Sequence, residues 1–227
     1  MSQHRFFVQN LNNKPILNKK EIEHARKVLR MNIGDNFIAF DGFGNVWTCE
    51  FENDFNLKVI QHQFIEKDRH ISRLIISLFK FDRLEWAIEK CTELGIDEII
   101  FTKTKFSQID LNLAEKKLAR WKEITISASK QCERIYIPEL KVMKPEQVLK
   151  LNGRKFIGVT EFEVKKNFNS FPWKNSCEIS LFIGPEGGFE KQELEEVISA
   201  GFEPVKISNS ILRSETACMV GSFLISE

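Results

Sequence analysis

Apolar and polar positions are patterned differently in the two parts of the chain. Over residues 1–70 the apolar residues come in short runs broken by turn-forming ones, whereas from residue 71 they form longer runs alternating with three-to-four-residue periodicity. In the first part His4-Arg5-Phe6-Phe7-Val8 reads as a strand. Lys19–Arg30 reads as a helix with Ile22, Ala25, Val28 and Leu29 on one face. Asn36–Phe40, Val46–Phe51 and Leu57–Phe64 follow as β-prone pieces, and the Asp41-Gly42 step between the first two is a strong hairpin signal. The pattern predicts a small β-barrel with one helix, ending in a charged linker at Glu66–His70.

Arg73–Phe79 is almost continuously apolar, as expected of a strand buried on both faces of a parallel sheet. A helix follows from Phe81, with Leu84, Ala87, Ile88 and Cys91 on its inner face and Gly95 as its stop, and Ile96–Thr102 returns to strand. That βαβ succession implies a right-handed crossover. Leu111–Ser129 is a long helix with an apolar stripe of Leu118, Trp121, Ile124 and Ala128. Residues 139–153 read as a connecting helix and loop, Lys155–Thr160 as a strand, Glu161–Ser176 as polar and irregular, and Cys177–Ile183 as a strand. Leu194, Val197 and Ile198 mark a further helix capped by Gly201, Val205-Lys206-Ile207 a short strand, and Ser214 the opening of a last helix. The expected fold class is α/β: residues 71–227 form a domain around a parallel sheet, and residues 1–70 a β-barrel domain.

With 227 residues, 42% of them hydrophobic, the chain can bury one large core or two small ones. Its longest apolar runs fall far short of the roughly 20 residues that span a membrane, and MSQHRFF has no apolar signal core, so a cytoplasmic location is expected. Cys49, Cys91, Cys132, Cys177 and Cys218 are dispersed, without a C-x-x-C pair, which predicts reduced thiols used mostly as core filler and no metal site. Lys plus Arg total 33 against 32 Asp plus Glu, so net charge alone does not announce nucleic acid. A one-sided basic face remains possible, with Arg26, Lys27 and Arg30 on the Lys19–Arg30 helix as candidates and a merely solvated face as the ordinary alternative.

The candidate chemistry lies near the end. Leu181-Phe182-Ile183 stops at Gly184-Pro185-Glu186-Gly187-Gly188-Phe189, a loop between strand and helix whose paired glycines permit close approach of a ligand to the backbone. It has neither the lysine and hydroxyl residue of a P-loop nor the dinucleotide spacing, and Glu186 argues for a ligand that is neutral or positive. The segment Ile207-Ser208-Asn209-Ser210-Ile211-Leu212-Arg213-Ser214-Glu215-Thr216-Ala217 repeats the plan, as a polar turn leading to a helix opening. Two such loops are expected to end two neighbouring strands.

At these residues the chain resembles the small-subunit ribosomal RNA methyltransferase E family of the SPOUT class. GPEGGF stands complete, and ILRSETA matches the later segment, with Asn209 where the family usually has glycine; asparagine tolerates left-handed backbone best among the other residues. His24, Val28, Leu29, Arg30, Gly34 and Asp35 match the family's N-terminal pattern, Glu89–Gly95 a second segment, and Gln131, Arg134 and Pro138 a third. The resemblance implies a PUA-like RNA-binding barrel followed by a domain with a deep trefoil knot, working as a homodimer. It implies S-adenosylmethionine bound among Val159-Thr160, Ile183 with Gly184–Phe189, and Ile207, Ser208, Asn209, Ile211, Leu212, Thr216 and Ala217. The implied reaction is methylation of a uridine N3 in 16S ribosomal RNA, free or in the assembled 30S subunit. Arg213 is the candidate to stabilise the uracil anion, Glu215 the candidate proton acceptor or anchor for Arg213, and His24, Arg26, Lys27, Arg30, Gln131 and Arg134 the candidate RNA contacts. The rival readings are another SPOUT transferase acting on transfer RNA or a ribose, and an RNA-binding module without activity.

Overall fold

The computed structural model describes residues 4–12, 14–53, 56–67, 70–160 and 178–226. The chain divides into two compact units, one of residues 1–67 with 126–137 and the other of residues 68–125 with 138–227. The end of the long helix and the turn after it therefore go with the N-terminal segment.

In the first unit β1 (Arg5–Phe7), β4 (Asn36–Phe40), β5 (Asn45–Phe51) and β6 (Leu57–Phe64) form a sheet in the order β1-β4-β5-β6, while β2 (Gln9–Leu11) and β3 (Lys14–Ile16) form a separate antiparallel ribbon. Phe6, Phe37 and Phe51 pack edge-to-face and stacked at its centre, beside the buried Trp47. The expected barrel is thus a four-stranded sheet plus a ribbon. Asp41 organises the predicted turn, its carboxylate accepting from the Phe43 and Asn45 backbone and from the side chains of Asn10 and Asn45. The expected helix departs from regularity: α1 (Lys19–Glu23), capped by the Asn18 side chain, passes into a π-helical turn at His24–Val28. The wider turn shifts the phase of the apolar stripe, leaving Val28 65% exposed where the spacing put it on the inner face. Lys130 reaches from the tail of the long helix to both carboxylate oxygens of Glu21, at 3.0 and 2.9 Å.

The second unit is a six-stranded, all-parallel sheet in the order β12-β10-β11-β7-β8-β9. Its strands are β7 (Ile71–Ser77), β8 (Glu98–Thr102), β9 (Glu139–Val142), β10 (Arg154–Gly158), β11 (Glu178–Ile183) and β12 (Phe202–Val205). On one face Leu74, Ile76, Phe101 and Leu181 bury against α2 (Phe81–Glu93), α3 (Leu111–Gln131) and α6 (Ser214–Ser226). On the other, Ile75, Ile100, Ile157 and Phe182 bury against α4 (Pro145–Val148) and α5 (Lys191–Ser199). Alternate residues of one strand serve two cores, which is why these strands read as unbroken apolar runs.

Two strands were misread from the sequence. β9 is a four-residue edge strand in a segment expected to be helix and loop, and β12 lies earlier than Val205–Ile207, taking in Pro204. Both lie at sheet edges, where short length and proline are tolerated. The expected stretch Glu161–Ser176, and Cys177, lie outside the described residues. Cys49, Cys91 and Cys218 are buried free thiols, with burial pushing Cys49 up to about 11 and Cys91 to about 12.

Candidate functional site

The site is built where three adjacent parallel strands end. β10 lies between β11 and β12, so the loops after Gly158, Ile183 and Val205 emerge side by side. The chain leaves β10 toward β11 on one side and returns to β12 on the other, the kind of strand-order reversal at which α/β sheets bind ligands. The two motif-bearing strands are therefore not neighbours, as expected from sequence, but flank the strand that carries the third loop.

Between these loops lies a cavity of about 520 Å³, within the range of small-molecule and cofactor sites. Val159, Thr160, Ile183, Gly184, Pro185, Glu186, Gly187, Gly188, Phe189, Ile207, Ser208, Asn209, Ile211, Leu212 and Ala217 all line it, so of the candidate cofactor residues only Thr216 is off the wall. The wall also includes Gly158, Leu194, Lys206, Ser210 and Ser214, which sequence reasoning missed. A Cβ at Gly158 would stand 2.7 Å from the Ile207 side chain and 3.2 Å from that of Ile183, so this glycine lets the two isoleucines close over β10 as an apolar floor.

The GPEGGF loop folds onto itself. Gly188, at φ +70°, donates its N–H to the Pro185 carbonyl at 2.9 Å, and Phe189 turns back so that its ring covers Gly184 and meets Phe182 edge-on at 5.0 Å. Gly187 has a different reason from the one expected: its missing Cβ points at Phe106, whose Cβ would be 3.0 Å away, and not at a ligand. Glu186 does not await a cation either. Its carboxylate accepts from Arg83 Nη1 and Gln108 Nε2, each at 3.3 Å. In the third loop Asn209 does not adopt left-handed backbone; Ser208 Oγ shapes the turn by accepting from the Ser210 N–H at 3.2 Å.

The two candidate catalytic residues part company. Arg213 lies on the cavity wall at the start of α6, solvent-accessible and without a partner among the described residues. Glu215 is buried and off the wall, and faces Arg83 Nε at 3.8 Å rather than Arg213. Its second carboxylate oxygen is buried without a hydrogen-bond partner among the described residues. Glu215 is accordingly no anchor for Arg213. Arg83, on α2, instead touches both motifs, and the separation of 103 positions between Arg83 and Glu186 hid it from sequence reading.

The candidate RNA contacts do not converge in the same way. Arg26, Lys27 and Arg30 are exposed, with Lys27 in a surface ion pair to Glu23 at 3.3 Å and Arg30 in left-handed backbone at φ 53°. His24 opens the π-helical turn. Gln131 ends α3, but Glu133 at φ 62° turns the chain before Arg134, so the two do not share a helix face as their spacing suggested. Among the described residues no group of three or more His, Cys, Asp or Glu side chains could hold a metal, and no helix is long and apolar enough to cross a membrane.

Comparison with known proteins bears on this geometry. The model of an RNA methyltransferase domain matches residues 66–226, and that of an RNA methyltransferase PUA domain matches residues 17–58. The ribosomal RNA small subunit methyltransferase E of Buchnera aphidicola subsp. Schizaphis graminum is 32% identical, over 94% of this chain and 89% of its own length. The crystal structure of the same-named protein of Neisseria gonorrhoeae, bound to S-adenosyl methionine, has a TM-score of 0.84 at 26% identity, covering 97% of this chain and 95% of that one. A methyltransferase of Legionella pneumophila in complex with the same cofactor has a TM-score of 0.87 at 26% identity, covering 99% of this chain and 97% of that one.

Proposed function

The chain belongs to the RNA methyltransferase family, and from that premise we propose that it is an S-adenosylmethionine-dependent enzyme that methylates N3 of a uridine in small-subunit ribosomal RNA. The observation that carries the reading is the convergence of three strand-end loops on one cavity, with an arginine on its wall that has no side-chain partner among the described residues. The wall suits the cofactor: glycines and small residues expose main-chain groups for the polar parts of a nucleoside, and Ile183, Ile207 and Leu212 give apolar surface. When bound, S-adenosylmethionine supplies an electrophilic methyl group. The knotted threading that the resemblance implies would hold the three loops together.

The chain's own residues then have two tasks. The first is alignment, since an in-line displacement needs the acceptor nitrogen held close to the methyl group and little else. The second is charge. Uracil N3 is a weakly acidic imide whose proton passes to solvent, and Arg213, a cation on the cavity wall, is our candidate to stabilise the deprotonated form. Glu215, off the wall and turned to Arg83, we assign to holding the loops. N3 lies on the Watson–Crick edge, so the base must be unpaired to react. The ribosomal substrate implies action in the cytoplasm.

We also infer a homodimer. α6 is apolar nearly all round: Cys218 and Ile225 bury toward the sheet, while Phe223 remains 51% exposed, as do Ile211 at 78% and Trp86 on α2 at 43%. A second copy is the occupant that the resemblance implies for such a surface. Titration calorimetry with S-adenosylmethionine, combined with mass spectrometry of ribosomal RNA from a strain with and without the gene, tests the central reading. The expected result is saturable cofactor binding and a methylated uridine absent from the deletion; a modified purine, ribose or transfer RNA would overturn it.

A further inference from the structure

The loop between β8 and α3 is built against the GPEGGF loop, touching Glu186 and Gly187 from behind without lining the cavity itself. Its inner side is tightly fastened. Lys105 donates its backbone N–H to Glu193 Oε1 at 2.6 Å, Gln108 reaches Glu186 at 3.3 Å, and Thr104 accepts and donates within a turn closed by Ser107 Oγ. Its outer side presents Lys105 and Phe106 to solvent. Phe106 is 46% exposed, although Gly187, which lines the cavity, is free of a Cβ at just the place where this residue comes to rest. The Lys105 ammonium has no partner among the described residues, whereas neighbouring Lys103 is paired with Asp110.

An aromatic residue that rests against a glycine and still stays half exposed is a poor use of an apolar side chain if it serves only the core, because a buried position would stabilise the fold more. The arrangement suits contact with a single strand: a fixed ring accepts an unpaired base by stacking, and a free ammonium takes a phosphate. We propose that Phe106 and Lys105 form a contact for the RNA strand beside the acceptor nucleotide, the ring as a stacking face and the lysine as a phosphate partner. The inference rests on the RNA-methyltransferase reading and deepens it. It places a substrate contact one backbone thickness from the cofactor cavity.

The test uses the full-length enzyme and small ribosomal subunits from a strain lacking the gene. Phe106→Ala and Phe106→Leu are each expected to raise KM for the subunits about tenfold, the scale of one lost stacking contact. Their kcat and their calorimetric affinity for S-adenosylmethionine should stay within about twofold of the unsubstituted enzyme. Phe106→Tyr, which keeps the ring face, should restore KM. Lys105→Ala should lower the slope of log affinity against log salt by roughly 0.7, one phosphate on a single strand. Leucine fills the seat on Gly187 without a π face, so a normal KM for Phe106→Leu would overturn the stacking role. A loss of cofactor affinity with unchanged KM would make Phe106 a mere prop of the loop. A shift from dimer to monomer on sedimentation would assign the patch to a protein interface. If the unsubstituted enzyme transfers no methyl group to these subunits, the enzymatic reading itself falls, which is a separate result.

Discussion

The two units of this protein answer differently to the same kind of question. In the second unit, residues far apart in sequence converge: the ends of β10, β11 and β12 bring three loops to one cavity of about 520 Å³. In the first unit the basic residues Arg26 and Lys27 of the π-helical turn, and Arg30 just after it, stay on the surface, with Lys27 paired to Glu23. Convergence at parallel strand ends follows from backbone topology, so short motifs with glycine and small residues suffice to mark it. A phosphate-binding face needs only charges spread over a surface, and nothing in local spacing separates it from an ordinary solvated helix.

The largest effect should come from the unit with the enclosed site. Arg213→Ala is expected to lower single-turnover methylation by roughly a hundredfold or more, the scale of one preorganised charge-stabilising donor. Cofactor affinity by calorimetry should be nearly unchanged, because in the proposed role the guanidinium would act on charge that develops in the transition state. Normal turnover with weakened cofactor binding would make Arg213 a wall residue and nothing more.

Arg83→Ala tests how the enclosure is held, and the effect expected is up to about tenfold weaker cofactor binding. This side chain links Glu186 of one loop, by a charged hydrogen bond at 3.3 Å, to Glu215 at the start of α6, by an ion pair at 3.8 Å; a charged hydrogen bond is worth about 1.5–3 kcal/mol, here reduced by partial exposure. Removing it also strands the buried Glu215 carboxylate, so the melting temperature should fall. Arg83→Ala combined with Glu215→Gln eliminates that charge. In the double variant stability should recover while the cofactor defect persists; recovery of both would reduce Arg83 to a counterion.

How much of this could be read from the chain follows the same division. The strands β7, β8, β10 and β11 and the helices α2, α3 and α5 were legible from local periodicity, and the GPEGGF loop from its glycines; the rest of the cavity wall came only from the family resemblance, which left out Gly158, Leu194, Lys206, Ser210 and Ser214. β12 was displaced because Pro204 argues against a strand unless its edge position is known. β9 was hidden by its length of four residues. The π-helical turn at His24–Val28 defeats a 3.6-residue period, which is why Val28 was put on the wrong face. Arg83, and the seat that Gly187 makes for Phe106, are tertiary contacts with no sequence signature.

A smaller effect is expected from the first unit. Replacing Arg26, Lys27 and Arg30 together with alanine should weaken RNA binding about fivefold at physiological salt and reduce the slope of log affinity against log salt by roughly 2–3 if all three meet phosphates. Methylation at saturating RNA should be unaffected. An unchanged slope would leave these side chains as a solvated face and shift the RNA-binding role toward the second unit, sharpening the contrast between the two.

The smallest effect concerns the stability of the second unit alone. At the sheet end away from the cavity, Arg73 on β7 donates to Glu98 on β8 at 2.6 Å and to Glu178 on β11 at 2.9 Å. The hydrogen bond from Arg73, and then its charge, hold the Glu178 carboxyl below its ordinary value of 4.5. A carboxyl with a lowered value in the folded state binds protons less readily there than when unfolded, so its contribution is complete above the ordinary value. It is lost as pH falls through the folded value. With Glu178 34% exposed, screening limits that contribution to below about 1 kcal/mol. Glu178→Gln should therefore lower stability slightly at pH 7, by a difference that shrinks as pH falls below the ordinary carboxyl value and is gone below the folded one. Trp121, buried in the second unit, and Trp47, buried in the first, can report separately in variants that keep one or the other. The Trp121 transition should carry the whole difference. An equal shift in the Trp47 transition would mean that the two units unfold as one, and that their contrast in chemistry is not a contrast in stability.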